Sequence, residues 1–363
     1  MQIFCTLFDS HYFSRGLTMY NSLKKNTADF RLYIVCFDDY TYNGLLQLNF
    51  PEIIPISLNQ FEDIELLEAK KGRTKAEYCW TSTSSVILYV LNTFNEPECT
   101  YLDADLYFFS DPGVLLDEAK NHSVMITEHR FSAPYKHYVF FGIYNVQFMY
   151  FKNDVNGRKV LDWWRSRCLE WCYDRSEDGK FGDQKYLDQW NSLFEGIHVM
   201  HNTGGGVAPW NVQSFTYEQN QNVLFQCNKQ TKEHNKVIFY HFHKFKLYKE
   251  GFGLAHTYDL SKDIADFIYT PYYQALLSTI GQISKVFPDF ASKGFNSYNE
   301  GRLYLNYLLN KKNFTGDCLI TENKENIHVK QCAAKPVNLL KNIFIRSFIG
   351  RIINKVRFFI LYH

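Results

Sequence analysis

Residues 101–112 read YLDADLYFFSDP, and the reading of that stretch decides the fold. Cys99 to Leu102 is a short apolar run that predicts a buried strand, and it passes straight into Asp103-Ala104-Asp105. Leu106 to Phe109 is a second apolar run. Two carboxylates one residue apart, where a strand is ending, can both reach one cation. Mg²⁺ and Mn²⁺ suit oxygen ligands and are commonly held by one or two carboxylates plus substrate phosphates. A departing diphosphate gathers negative charge and needs such a cation. An Asp-x-Asp also arises in a solvated turn with two surface acids, but the apolar runs on both sides make a surface turn less comfortable.

Outward from this centre the apolar runs keep the same character. Ile3 to Phe8 predicts a strand ending at Asp9, Leu32 to Phe37 one ending at Asp38 and Asp39, and Ile53 to Leu58 a third. Helical spacing covers 14–25, 60–71 and 75–94. Strands alternating with helices are the pattern of βαβ units and of an α/β, mostly parallel sheet. Ligands of such sheets bind beyond the carboxyl ends of the strands. Three strands ending on aspartate therefore gather acids along one edge.

Downstream, Ser123 to Thr127, Asn145 to Phe151, Ile197 to His201 and Val237 to Phe242 predict strands, and Gly157 to Tyr173 and Asp183 to Phe194 predict helices. The last strand ends in His241 and His243, which alternate and so point the same way. Asn202 to Asn211 (NTGGGVAPWN) predicts a loop whose Trp210 is able to stack on a sugar face. Gly182-Asp183-Gln184 opens a helix, where Asp183 is either a cap or a functional carboxylate. Beyond about residue 255 the spacing is helical.

This ordering over roughly residues 1–250 resembles the GT-A fold of nucleotide-sugar glycosyltransferases. The nearest group is the lipopolysaccharide galactosyltransferase-like family 8, with the capsule-cluster transferases of bacteria. The resemblance implies a Rossmann-like mixed sheet flanked by helices, with a GT-A catalytic domain over 1–254 and a helical extension over 255–336. It implies that Asp103, Asp105 and either His241 or His243 hold Mn²⁺ or Mg²⁺ on the donor diphosphate. Thr6, Asp9 and Tyr12 would line the nucleotide, and Arg73, Lys75, Ala104 and Lys244 would border the donor. Asp183 and Gln184 would sit near the transferred sugar and the acceptor, with Asn202, Trp210 and Asn211 as substrate contacts. Around the histidine the chain reads YHFHKFKLY, departing from the glycine and Lys-Pro-Trp usual in the family. The donor is expected to be a UDP-sugar and the acceptor a glycan or lipid-linked molecule.

Net charge is +1, which suggests no nucleic-acid partner. The average hides an asymmetry: residues 337–363 hold Lys341, Arg346, Arg351, Lys355 and Arg357 and no acid. On a helical wheel Ile345, Phe348, Ile349, Ile352, Val356, Phe359 and Ile360 share one face, bordered by Arg346, Lys355 and Arg357. Such a tail suits an anionic membrane surface, so a cytoplasmic protein peripheral on the inner face of the plasma membrane is expected. The nine cysteines are scattered without CxxC pairs and read as reduced thiols. Two rival readings follow from the same residues. A haloacid-dehalogenase-like phosphatase also uses Asp-x-Asp after a strand, and Gly182-Asp183 with Asp188 matches its later motif. A non-catalytic scaffold at the membrane would bind nucleotide or sugar without metal dependence.

Overall fold

The computed structural model describes residues 1–248, 252–255, 258–288 and 293–296, with the strands at Cys318–Asn323 and Asn326–Gln331. The first half runs β1 (Gln2–Phe8), α1 (Phe13–Asn26), β2 (Phe30–Cys36), α2 (Asp39–Leu48), β3 (Ile53–Ser57), α3 (Leu58–Phe61) and α4 (Ile64–Lys70). There follow α5 (Lys75–Thr93), β4 (Glu98–Leu102), β5 (Leu106–Phe108), α6 (Gly113–Ala119), β6 (Val124–Glu128) and β7 (Tyr144–Lys152). Next come α7 (Val155–Glu170), α8 (Trp190–Leu193) and β8 (Ile197–Val199). The strands β9 (Phe215–Asn220), β10 (Val223–Asn228), β11 (His234–Lys236) and β12 (Phe239–His241) precede β13 (Lys246–Tyr248) and β14 (Phe252–Ala255). The helices α9 (Lys262–Ile264) and α10 (Thr270–Val286) lead to β15 (Cys318–Asn323) and β16 (Asn326–Gln331).

Seven strands form one mixed sheet in the order β3-β2-β1-β4-β7-β6-β8. The strands β3, β2, β1 and β4 are mutually parallel, and β7 enters antiparallel to both β4 and β6. The sheet is buried on both faces, which is why its strands read as continuous apolar runs. From β1, Ile3, Cys5 and Leu7 enter one layer with α5 and α7, and Phe4 and Phe8 enter the other with α1. A third apolar cluster joins the loop around Trp210 and β12 to α10, through Tyr240, Phe242, Tyr269 and Tyr272.

Several elements depart from the sequence reading. Residues 60–71 are two helices, because Ser57 and Gln60 form a capping box for α3 while the Asp63 carboxylate starts α4 by accepting from Leu66 N–H. Helices α2 and α6 were not expected. Residues 183–194 are a 3-10 segment at Lys185–Gln189 followed by the single turn α8. Residues 215–236, given no structure from the sequence, form the three-stranded sheet β11-β10-β9. Within 255–336 the helical spacing covers α9 and α10, but β15 and β16 are strands that extend β13-β14 into a four-stranded antiparallel sheet. The basic tail, 337–363, lies outside the described residues. No helix among the described residues is long and apolar enough to cross a membrane.

Candidate active site

The chain brings the two acids to a histidine through one strand pairing. After β4 the backbone N–H of Asp103 donates to the Gln147 carbonyl of β7 (3.0 Å), and a tight turn leads into β5. The short strand β12 then pairs antiparallel with β5, with His241 opposite Leu106, and Phe242 N–H donates to the Asp105 carbonyl (3.0 Å). His241 Nε2 consequently lies 3.1 Å from Asp105 Oδ1 and 3.7 Å from Asp103 Oδ2. One ligand atom from each of Asp103, Asp105 and His241 falls within 4.8 Å of the others. The Asp103 side chain keeps 29% of its surface exposed, so a ligand can reach the cluster from outside.

Gln147, absent from the sequence reading, fixes the histidine. Its Oε1 lies 2.8 Å from His241 Nδ1. An amide oxygen only accepts, so Nδ1 carries the proton and Nε2 is turned toward the acids with its lone pair available in the neutral ring. That is the state in which imidazole binds a metal, with a second partner holding the ring. The sequence signal for Gln147 was a polar residue, like Asn145, inside a mostly apolar strand.

The electrostatics describe a site short of positive charge. Burial, reinforced by the Asp105 charge, pushes the Asp103 carboxyl up to about 6. Burial also acts on Asp105, but His241, His243 and Arg15 hold it below the usual carboxylate range. For His241 burial opposes the charged form, and the two carboxylates outweigh it and raise its pKa. Asp183 is buried, with its carboxyl raised to about 8 by burial and then by the negative charge of Asp103. A divalent cation between Asp103, Asp105 and His241 would relieve these strains together, so the donor set suits such an ion.

The other expected residues divide by environment. Asp9 stands beyond the end of β1, accepts from the backbone of His11 (2.9 Å) and Tyr12 (3.1 Å), and pairs with Lys75. Tyr12 is 45% exposed, with the Arg15 guanidinium over its ring at 5.0 Å. Lys244 is exposed, with a left-handed φ of 60°, in the turn after β12. Ala104 is buried between the two acids. Gln184 Nε2 donates to the Phe141 carbonyl (3.0 Å), and Trp164 donates its indole N–H to the Asp183 carbonyl (2.9 Å). The third strand-end acid, Asp38, is used as a cap, accepting from Ser10 and Thr41 N–H.

Six of the expected residues take other places in the structure. Thr6 is fully buried within β1 and does not line an open nucleotide site. Arg73 donates to the carbonyls of Ala69, Cys168, Leu169 and Cys172 and stacks on Tyr173, so it closes the carboxyl end of α7. Trp210 is 4% exposed, donates to the His129 carbonyl (2.9 Å), and meets His241 and His243 edge to face at 5.4 Å each. Its indole supports the histidines and has no free face for a sugar. Asn202 and Asn211 bind backbone groups of the glycine loop, from Gly204 through Ala208. That loop is a scaffold: Ile238 N–H donates to Gly204 O (2.8 Å) and His241 N–H to Val207 O (2.9 Å), so it aligns β12. His243 departs from the pattern of His241, binding the Tyr258 hydroxyl (3.0 Å) through Nδ1 while burial lowers its pKa to about 3.

Two Bacillus subtilis (strain 168) proteins are similar over most of the chain. The uncharacterized protein YfnD is 31% identical over 294 residues, which covers 79% of this chain and 93% of YfnD. The uncharacterized protein YfnF is 28% identical over 309 residues, 82% of this chain and 99% of YfnF. Among solved structures, the galactosyltransferase LgtC in complex with donor and acceptor sugar analogues aligns with a TM-score of 0.50 at 13% identity. That alignment spans 76% of this chain and 96% of LgtC, and the fold is GT-A. No protein-family model matches.

Proposed function

Because this chain belongs to the family of Bacillus subtilis YfnD and has the GT-A fold, we propose that it is a metal-dependent glycosyltransferase. The donor is a nucleotide-sugar, by resemblance a UDP-sugar, and the acceptor a surface glycan or lipid-linked molecule. The observation that carries this reading is the convergence of Asp103, Asp105 and His241 beyond the end of β4, with Gln147 holding the imidazole. These three residues would hold a Mn²⁺ or Mg²⁺ ion, which supplies positive charge to the donor diphosphate as its bond to the sugar breaks.

The chain's own groups divide the remaining work. Tyr12 offers an exposed ring beside the acids for the base, and Asp9 with Lys75 forms a polar border beyond β1. Lys244, on the turn after β12, presents an exposed ammonium for a phosphate. Asp183, whose carboxyl burial raises in the metal-free protein, is the group proposed to hold a hydroxyl of the transferred sugar. The phosphatase alternative loses ground because the Asp-x-Asp follows the fourth strand of this sheet, whereas that family usually carries it near the domain start.

The deciding experiment is nucleotide binding by thermal shift with and without Mn²⁺. Stabilisation by one nucleoside diphosphate that needs the metal, and that is lost in Asp105→Ala, supports the proposal. Wild-type nucleotide binding and turnover in a folded Asp105→Ala would sink it. The basic tail is proposed to bind anionic membranes. Removing 337–363 should weaken sedimentation with phosphatidylserine vesicles while leaving nucleotide binding unchanged.

A further inference from the structure

A second group of potential ligands stands at the opposite edge of the sheet, where β8 closes it beyond β6. Glu118 on α6, His198 in β8 and His201 just past β8 each present one ligand atom, all within 4.8 Å of one another. Glu118 Oε1 accepts from His198 Nε2 (2.7 Å) and from the backbone N–H of His201 (2.5 Å), and Oε2 accepts from Asn202 N–H (3.2 Å). The rings of His198 and His201 meet at 4.8 Å, and His122 stacks flat on His198 at 4.3 Å, covering its other face. Burial opposes the charge on Glu118, but the backbone N–H of His201, the His198 side chain and the backbone N–H of Asn202 hold its carboxyl below the usual range.

From this geometry we propose that Glu118, His198 and His201 bind Zn²⁺. Two imidazoles and one carboxylate are a zinc donor set, and the softer nitrogen ligands separate this site from the acid-rich one beside β4. The ion takes the place of the hydrogen bond between His198 Nε2 and Glu118 Oε1, with His198 bound as the neutral ring whose proton sits on Nδ1. His201 is exposed and already presents a ring nitrogen to the group, so water would fill the remaining position. The site lies where the glycine loop begins. Arg130 already grips that segment through the carbonyls of Met200, Asn202 and Gly205. Zinc therefore staples to α6 the loop that aligns β12, a structural role apart from the sugar chemistry.

The test uses the metal-stripped full chain carrying Asp103→Ala and Asp105→Ala, which removes the first site, titrated with Co²⁺ and then Zn²⁺. The expected result is one bound Co²⁺ with the strong visible absorption of a four-coordinate site, bleached by Zn²⁺. Adding His201→Ala, at an exposed position, should abolish that band, and Glu118→Gln should do the same while keeping an oxygen acceptor for the loop amides. Circular dichroism confirms that each variant is folded. Absence of bound Co²⁺ in the Asp103→Ala, Asp105→Ala chain overturns the proposal. A band that survives both His201→Ala and Glu118→Gln overturns it equally.

Discussion

Gln147 acts on chemistry it does not perform. Its amide oxygen holds the Nδ1 proton of His241, and with it the direction of the Nε2 lone pair. Gln147→Leu should weaken Mn²⁺ binding roughly 10- to 100-fold, the range for loss of a residue that orients a metal ligand. Gln147→Glu, which keeps the acceptor, should recover most of that loss in calorimetric titration. Asp183 supplies a second expectation at this scale. Burial raises its carboxyl in the folded chain from the ordinary 3.8 to about 8, so between those values the native state holds a proton the unfolded chain has released. Its contribution is complete below about pH 4, and stability falls as pH rises through 8. Asp183→Asn should flatten the melting temperature against pH of the metal-free protein, by on the order of 1 kcal/mol per pH unit. Parallel curves for the two proteins would refute it. Asp103 and Asp105 were legible in the sequence because an acid pair directly after a buried strand is costly without a counter-charge. Gln147 was not, because an amide within a mostly apolar strand, with Asn145 a second one two residues before it, signals nothing until its partner is in place.

Short-range chemistry sets the elements, and the errors at this scale trace to it. Residues 60–71 carry helical spacing throughout, yet a second capping residue, Asp63, restarts the helix. Arg73 looked like a free cation before a helix; three of its carbonyl bonds instead close α7, and the fourth ties it to Ala69 of α4. Arg73→Ala should therefore lower stability by about 1–3 kcal/mol in urea denaturation and leave Mn²⁺-dependent nucleotide binding intact. The glycine loop behaves oppositely. A Cβ on Gly204 would sit 1.9 Å from the Lys236 carbonyl, and one on Gly206, at φ 80°, would meet Thr127 at 2.6 Å. Gly204→Ala should therefore displace β12 and weaken metal binding as well as folding, both readable in one calorimetric series. The glycines marked a loop in the sequence, but neither their spacing nor Trp210 revealed that the loop serves a strand rather than a substrate.

The whole molecule couples parts that are remote along the chain. The parallel half of the sheet was legible from β1 to β4, where every strand is an apolar run bounded by an acid or a turn. The β9–β11 sheet was not, since β9 and β11 are largely exposed and polar and the alternation in β9 is confined to Phe215–Glu218. A chelator should lower the melting temperature more in the presence of a nucleoside diphosphate than in its absence, because the nucleotide leaves with the metal, the signature of ternary binding. The pairing of β5 with β12 has a further consequence for biogenesis. Asp103 and Asp105 leave the ribosome long before His241, and only β12 completes the trio. A nascent chain is therefore blind to the ion through most of its synthesis. Metal capture then marks the end of folding rather than its nucleation, and rises as a slow phase behind collapse of the sheet.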